Sequence, residues 1–360
     1  MAYKLPTDCL NEIFEYLEFD KFTLHSCLLV NHHWCEISVS ILWRNTLNIK
    51  FGYRNSFKTK SSILSTLIAC LPNESKKLLH DNEIFISTPT SKPLLFNYAS
   101  FCKILSIYQI NKMINSVLKN SLLDSKDGNS LVVNEIIKMF ASQITSLKKL
   151  TYTFYHNNRN ISFPHFPGAR DLSELCVSSD LSSDFFYQLS QICHNLQSIS
   201  IKFYDSITNE LNELISSQNN LKNLYLSASD GSWADIIPTI TKHSHTITKL
   251  KLYIDVSGSD KALRSSIAKF CPNLKSLFII FRNDSDASPD YLESFFISWE
   301  RRTPKKLLSF IIIVDAEFDF TYSCEILEII EKYDDLGIIK FITKSEEEEI
   351  EEEEESYDFK

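Results

Sequence analysis

The frame L-x-x-L-x-L, with other apolar residues tolerated, recurs eight times from residue 147 onward, and its spacing limits the possible folds more than any other feature of the chain. It reads Leu147-Leu150-Tyr152, Leu172-Leu175-Val177, Leu196-Ile199-Ile201 and Leu221-Leu224-Leu226. It continues as Ile247-Leu250-Leu252, Leu274-Leu277-Ile279, Leu307-Phe310-Ile312 and, less regularly, Leu336-Ile339-Phe341. Successive offsets are 25, 24, 25, 26, 27, 33 and 29 residues. A near-constant period in this range predicts a stacked array, because one such unit cannot cover its own apolar face. Segments with helical spacing lie between the frames. Residues 184–194 carry Phe186, Leu189, Ile192 and Cys193, residues 208–216 carry Leu211, Leu214 and Ile215, and residues 260–270 carry Leu263, Ile267 and Phe270. Each unit is therefore predicted as one short strand plus one helix, an α/β repeat.

The entries to the strands share a phrase. Cys193-His194-Asn195-Leu196, Gln218-Asn219-Asn220-Leu221 and Cys271-Pro272-Asn273-Leu274 each precede a frame. They resemble the leucine-rich repeats of F-box proteins, which implies a solenoid over residues 141–345. The later asparagine of that pattern is replaced here, by Asp180, Tyr204, Ser229, Asp255, Arg282 and Asp315, so an asparagine ladder is not expected. Strand alternation sends every second residue away from the helices. On that basis Tyr225, Lys251, Tyr253, Phe278, Ile280, Ile311 and Ile313 are expected on a concave face that binds a protein target.

The first 45 residues form a different pattern. Leu10, Ile13, Phe14 and Leu17 recur at i, i+3, i+4 and i+7 and predict a helix over residues 7–18, with Thr7 or Asp8 as its cap. Further helices are predicted near residues 20–29 and 32–43. Three short helices bury a small core and suit a docking module. The order Leu5-Pro6, the Ile13-Phe14-x-x-Leu17 helix and Val30-Asn31-x-x-Trp34 resembles an F-box. The resemblance implies a Skp-type adaptor as partner, and through it a cullin and ubiquitin transfer to an unknown protein substrate. It assigns adaptor contact to Leu5, Pro6, Leu10, Ile13, Phe14, Leu17, Cys27, Val30, Asn31 and Trp34. The expected role is that of a non-catalytic substrate receptor. The alternative is a repeat scaffold that binds proteins without any ligase.

Residues 46–140 are less regular and are expected to be irregular early repeats joining the two parts. A helix is predicted over residues 61–71, a strand over 83–87, a helix over 103–119 and a polar linker over 125–130. The phrase Pro93-Leu94-Leu95-Phe96-Asn97-Tyr98 resembles segments that follow the F-box in a large fungal group of such proteins. At the far end, residues 346–360 carry nine glutamates and read as a disordered acidic tail. Those nine charges equal the net charge of −9, so the rest of the chain is balanced. A charge-driven nucleic-acid surface is therefore not expected.

Six scattered glycines exclude the usual phosphate-binding loops. His32, His33, Cys35 and Cys27 are adjacent but read as helix residues rather than zinc ligands. Neither a catalytic constellation nor a cofactor or metal is expected. Nine cysteines without a C-x-x-C pair, no secretion-signal pattern and no run long enough to span a bilayer point to an intracellular protein, cytoplasmic or nuclear.

Overall fold

The computed structural model describes residues 5–48, 57–88, 94–118, 126–153, 161–203, 208–228, 236–253, 271–281, 289–302, 307–314 and 324–345. The chain divides into two compact units, Met1–Leu172 and Ser173–Lys360.

The first unit opens with three helices, α1 (Thr7–Glu15), α2 (Lys21–Cys27) and α3 (His32–Arg44). Pro6, not Thr7 or Asp8, sits at the start of α1, with φ −55° and no side-chain cap. A proline has no N–H to satisfy and holds the entry angle by its ring. Asp20 caps α2 by accepting the Thr23 N–H at 3.0 Å, and Asn31 caps α3 by accepting the Trp34 N–H at 3.0 Å. Leu10, Phe14, Leu24, Cys27, Ile37 and Ile41 make the core of the three helices, with Leu17, Trp34 and Leu42 packed against it. The Arg44 guanidinium makes a two-pronged bond to the Glu15 carboxylate, tying the end of α1 to the end of α3. That bond holds the Glu15 carboxyl below its ordinary range.

The unit continues through α4 (Phe57–Cys70), α5 (Asn73–Asp81), a 3-10 turn at Tyr98–Phe101, β1 (Ile104–Ser106), α6 (Ile107–Leu118), α7 (Lys126–Gln143) and β2 (Lys149–Tyr152). Three expectations for this region change. Residues 83–87 form no strand: Glu83, at φ +59°, turns the chain just after α5 and its Asn82 cap. The helix expected over residues 103–119 begins as a strand, because Ile104, Leu105 and Ser106 pair in parallel with Lys149, Leu150 and Thr151. Of the polar linker expected over residues 125–130, residues 126–130 belong to α7, which is anchored by the buried Val132, Val133, Ile136, Ile137 and Phe140, and residue 125 lies outside the described residues. Gly168 has no room for a side chain: a Cβ there would lie 2.3 Å from the Ile144 carbonyl oxygen. This close approach lets the Gly168 carbonyl accept the Leu147 N–H at 2.8 Å, which sets the entry to β2.

Among the described residues the second unit holds seven strands in chain order, β3 (Glu174–Ser178), β4 (Ser198–Phe203), β5 (Asn223–Ala228), β6 (Lys249–Tyr253), β7 (Ser276–Phe281), β8 (Leu308–Val314) and β9 (Ile339–Ser345). Each pairs in parallel with the next. The connecting helices are α8 (Ser183–Ile192), α9 (Asn209–Ser216), α10 (Ile237–Lys242), α11 (Pro289–Glu300) and α12 (Cys324–Asp335). The helix expected over residues 260–270 lies outside the described residues. Frame positions align in register, as in Leu175, Ile199, Leu224, Leu250, Leu277 and Phe310, and these side chains are buried. Phe296 of α11 meets Phe310 of β8 edge-on at 5.1 Å, which places the helix layer on the frame side of the sheet.

Side chains just before the strands link each unit to the one before it. The Gln218 amide donates to the Cys193 carbonyl at 2.8 Å and accepts the Leu196 N–H at 2.9 Å. His243 Nε2 lies 2.7 Å from the Ile215 carbonyl, Asn273 Nδ2 donates to His245 at 2.7 Å, and Arg302 donates to Cys271 at 2.8 Å. Four different residue types thus satisfy backbone carbonyls of the preceding repeat.

His243 gives this linkage a pH dependence. A carbonyl only accepts, so Nε2 carries the proton and the neutral ring suffices. Burial holds the His243 pKa below 6.5, despite the opposing effect of the Ile215 bond. Between that lowered value and 6.5 the unfolded chain binds more protons, so stability falls as pH drops through this window. The melting temperature is expected to fall between pH 7.5 and pH 5.5, and to fall less in His243→Gln. Equal falls in the two proteins would remove His243 from the account.

Candidate functional site

Two surfaces carry the residues singled out from the sequence. At the amino terminus the helical stripe and the exposed apolar residues are different sets. Leu10, Phe14 and Cys27 are buried, Phe14 to 1% exposure, and Leu17 and Trp34 pack against them. These residues were expected to touch a partner, but their side chains hold the three helices together. Asn31 is a helix cap, its side-chain oxygen spent on Trp34. Leu5, Ile13 and Val30 are exposed at 56, 47 and 55%, and Pro6 lies exposed beside Leu5.

Further residues join them that the stripe did not mark. Tyr16, Phe22 and Leu29 are about as exposed as a side chain can be, at 89, 90 and 89%, and Phe19 is exposed as well. Of the 14 exposed large hydrophobic residues among the described ones, seven lie between residues 5 and 30. Scattered apolar residues are normal on a surface, but so many in one short segment make it the candidate docking surface of the first unit. Ile13 and Tyr16 share the outer face of α1 with Cys9, at spacings of four and three residues. The readable signal was an apolar or aromatic residue at the positions where a solvated helix face carries polar ones.

The other end of the module is closed. Trp43 of α3 packs on Tyr98 at 4.8 Å between ring centroids, and His32 faces Phe96 at 6.1 Å. The Lys103 N–H donates to the Arg44 carbonyl at 3.0 Å. The segment around Phe96 and Tyr98 is therefore the seat of α3 in the first unit.

The second surface is the face of β3–β9 opposite the helices. Tyr225 is half-buried there, but Lys251, Phe278 and Ile311 are buried, at 7, 4 and 5% exposure. Phe278 and Ile311 form a cluster with Ile342 across β7, β8 and β9. The open apolar patch expected from these residues is thus closed at Phe278 and Ile311. Neighbouring strands about 4.8 Å apart bring large side chains at the same register into contact. Tyr253, Ile280 and Ile313 hold the matching strand positions, and their side chains lie outside the described residues. Lys249 Nζ sits 4.6 Å from the Phe278 ring centroid and 5.5 Å from that of Tyr225.

Burial pushes the thiols that precede two of the strands up, Cys193 to about 12 and Cys271 to about 11, which keeps them protonated and apolar in behaviour. Among the described residues no three of His, Cys, Asp and Glu converge as metal ligands, and no helix is long and apolar enough to cross a membrane.

The profile of the F-box-like family matches residues 2–48, the segment that holds α1, α2 and α3. The search of curated proteins finds no match to the chain.

Proposed function

We propose that the chain is the substrate-recognition subunit of a Skp–cullin–F-box ubiquitin ligase, with no catalytic group of its own. Residues 2–48 are an F-box-like domain, and such domains bind a Skp-type adaptor. The single observation that carries the reading is the concentration of exposed apolar side chains between residues 5 and 30. The adaptor-contact set proposed here is Leu5, Pro6, Ile13, Tyr16, Phe19, Phe22, Leu29 and Val30, supported from below by Leu10, Phe14, Leu17, Cys27 and Trp34. The second unit, taken as a leucine-rich-repeat array, holds the target. Tethering a target lysine beside a ubiquitin-charged enzyme raises its effective concentration, and this alone accelerates transfer.

A pull-down from a eukaryotic lysate, followed by titration with purified adaptor, tests the proposal. The variant Tyr16→Ala with Phe22→Ala and Leu29→Ala removes three interface side chains. At about 1–2 kcal/mol each, affinity is expected to drop at least about 100-fold with an unchanged melting temperature. Failure to recover the adaptor, or wild-type affinity in the triple variant, overturns the proposal.

A further inference from the structure

Leu95 is exposed at 68%, although the residues that follow it are anchored. Tyr98 packs on Trp43, in the last turn of α3, and Phe96 faces His32, the first residue of α3. Phe96 and Tyr98 also meet edge-on, with ring centroids 6.0 Å apart. Going back from Tyr98 to Phe96 therefore follows α3 from its last turn to its first, and Leu95 comes next. The start of α3 is where Leu29 and Val30 stand exposed, with Asn31 and His32 exposed after them. Both stretches belong to the first unit and touch at the His32–Phe96 contact. Neither residues 28–35 nor residues 94–102 contain a lysine, arginine, aspartate or glutamate. The exposed side of α1, by contrast, carries Asp8, Glu12 and Glu15. Absence of charge together with exposed apolar side chains is the composition of the desolvated centre of a protein interface.

We propose that the adaptor-binding surface extends past the F-box-like segment: Leu95 joins Leu29, Val30 and His32 in one uncharged strip at the start of α3, and the Skp-type adaptor covers all four. This rests on the adaptor reading of α1, α2 and α3, and it adds a contact that residues 2–48 do not contain. Phe96 is a positioning residue. Its ring contacts with His32 and Tyr98 fix where Leu95 emerges, so one short segment both seats α3 and widens the docking surface. The partner is the adaptor because the strip is continuous with Leu29 and Val30: a protein lying over those two side chains meets Leu95 next. The adaptor surface that fits here is apolar and carries no charge opposite Leu95, since a charge buried there would find no counterpart.

The test uses the full-length chain and purified Skp-type adaptor. The photo-reactive residue benzoylphenylalanine is placed at Leu95 in one protein and at Phe22 in another, and each is irradiated with the adaptor. Both are expected to cross-link to it. A cross-link from Phe22 alone overturns the extension and leaves the adaptor reading standing, whereas no cross-link from either position overturns both. A cross-link from Leu95 alone removes the continuity on which the extension rests and overturns it as well. In a lysate that contains the adaptor, a cross-link from Leu95 to another protein in its place gives the strip to the target and overturns the proposal. Titration supplies the second measurement. Leu95→Asp puts a carboxylate into the strip, and its affinity for the adaptor is expected to fall at least about tenfold. Its melting temperature is expected to stay that of wild type, because Leu95 is exposed in the free chain. Wild-type affinity in Leu95→Asp overturns the proposal.

Discussion

Phe14→Ala is expected to destabilise the amino-terminal helices by about 4 kcal/mol and to abolish adaptor capture as a consequence. Phe14 is 1% exposed and meets Trp34 edge-on, with ring centroids 5.2 Å apart and planes at 89°. Truncation removes a large buried surface and leaves a cavity between α1 and α3. It also loses the ring pair, worth about 1 kcal/mol beyond area. The remaining core residues, Leu10, Leu24, Cys27, Ile37 and Ile41, are smaller and sit on three short helices, so collapse onto the void cannot recover much. Hydrogen exchange is the measurement. Amides of α1 and α2 are expected to lose protection while those of β4–β6 keep theirs. The contrast with Phe22→Ala decides the assignment of roles. Phe22 is 90% exposed, so its loss should weaken capture and leave exchange unchanged. Full protection of α1 in Phe14→Ala would show that Phe14 is not the centre of this core.

The two residues also show what a stripe in a sequence means. The i, i+3, i+4, i+7 pattern of Leu10, Ile13, Phe14 and Leu17 locates the side of α1 that its own module buries. It reports on the inside of the fold, and Ile13, at the edge of the stripe, is already half outside. The proposed docking face is written in residues that break the pattern, Tyr16, Phe19, Phe22 and Leu29, and they look like noise until the helices are assembled. The strand frames were legible because each repeats the same requirement, an apolar residue under the next strand. β1 was not, since three residues running into α6 gain strand character only from pairing with β2, more than forty residues later. The buried state of Phe278 and Ile311 escaped for the same reason. Alternation gives the face on which a side chain lies, while the neighbour that covers it comes from another strand.

The second large effect concerns the links between units. Gln218→Ala is expected to cost about 3 kcal/mol, more than an ordinary polar-to-alanine change. The Gln218 side chain is 5% exposed in sum and serves both units at once. Its oxygen accepts the Leu196 N–H, and its nitrogen donates to the Cys193 carbonyl at 2.8 Å and to the Leu214 carbonyl at 2.7 Å. Cys193 and Leu196 are themselves fully buried, so water cannot replace the lost partner. An orphaned buried donor or acceptor costs about 1–3 kcal/mol, and alanine orphans at least two. Glutamate tests the chemistry rather than the size. Gln218→Glu keeps an acceptor for Leu196 but turns a carboxylate oxygen toward two carbonyls, so it should be at least as damaging as alanine at neutral pH and should recover on acidification, when the protonated acid can donate. Urea unfolding followed by circular dichroism reads both variants. A cost below about 1 kcal/mol for alanine would mean that the Cys193 and Leu196 groups find other partners. A glutamate variant as stable as wild type at neutral pH would mean that donation to Cys193 is not what holds the two units together.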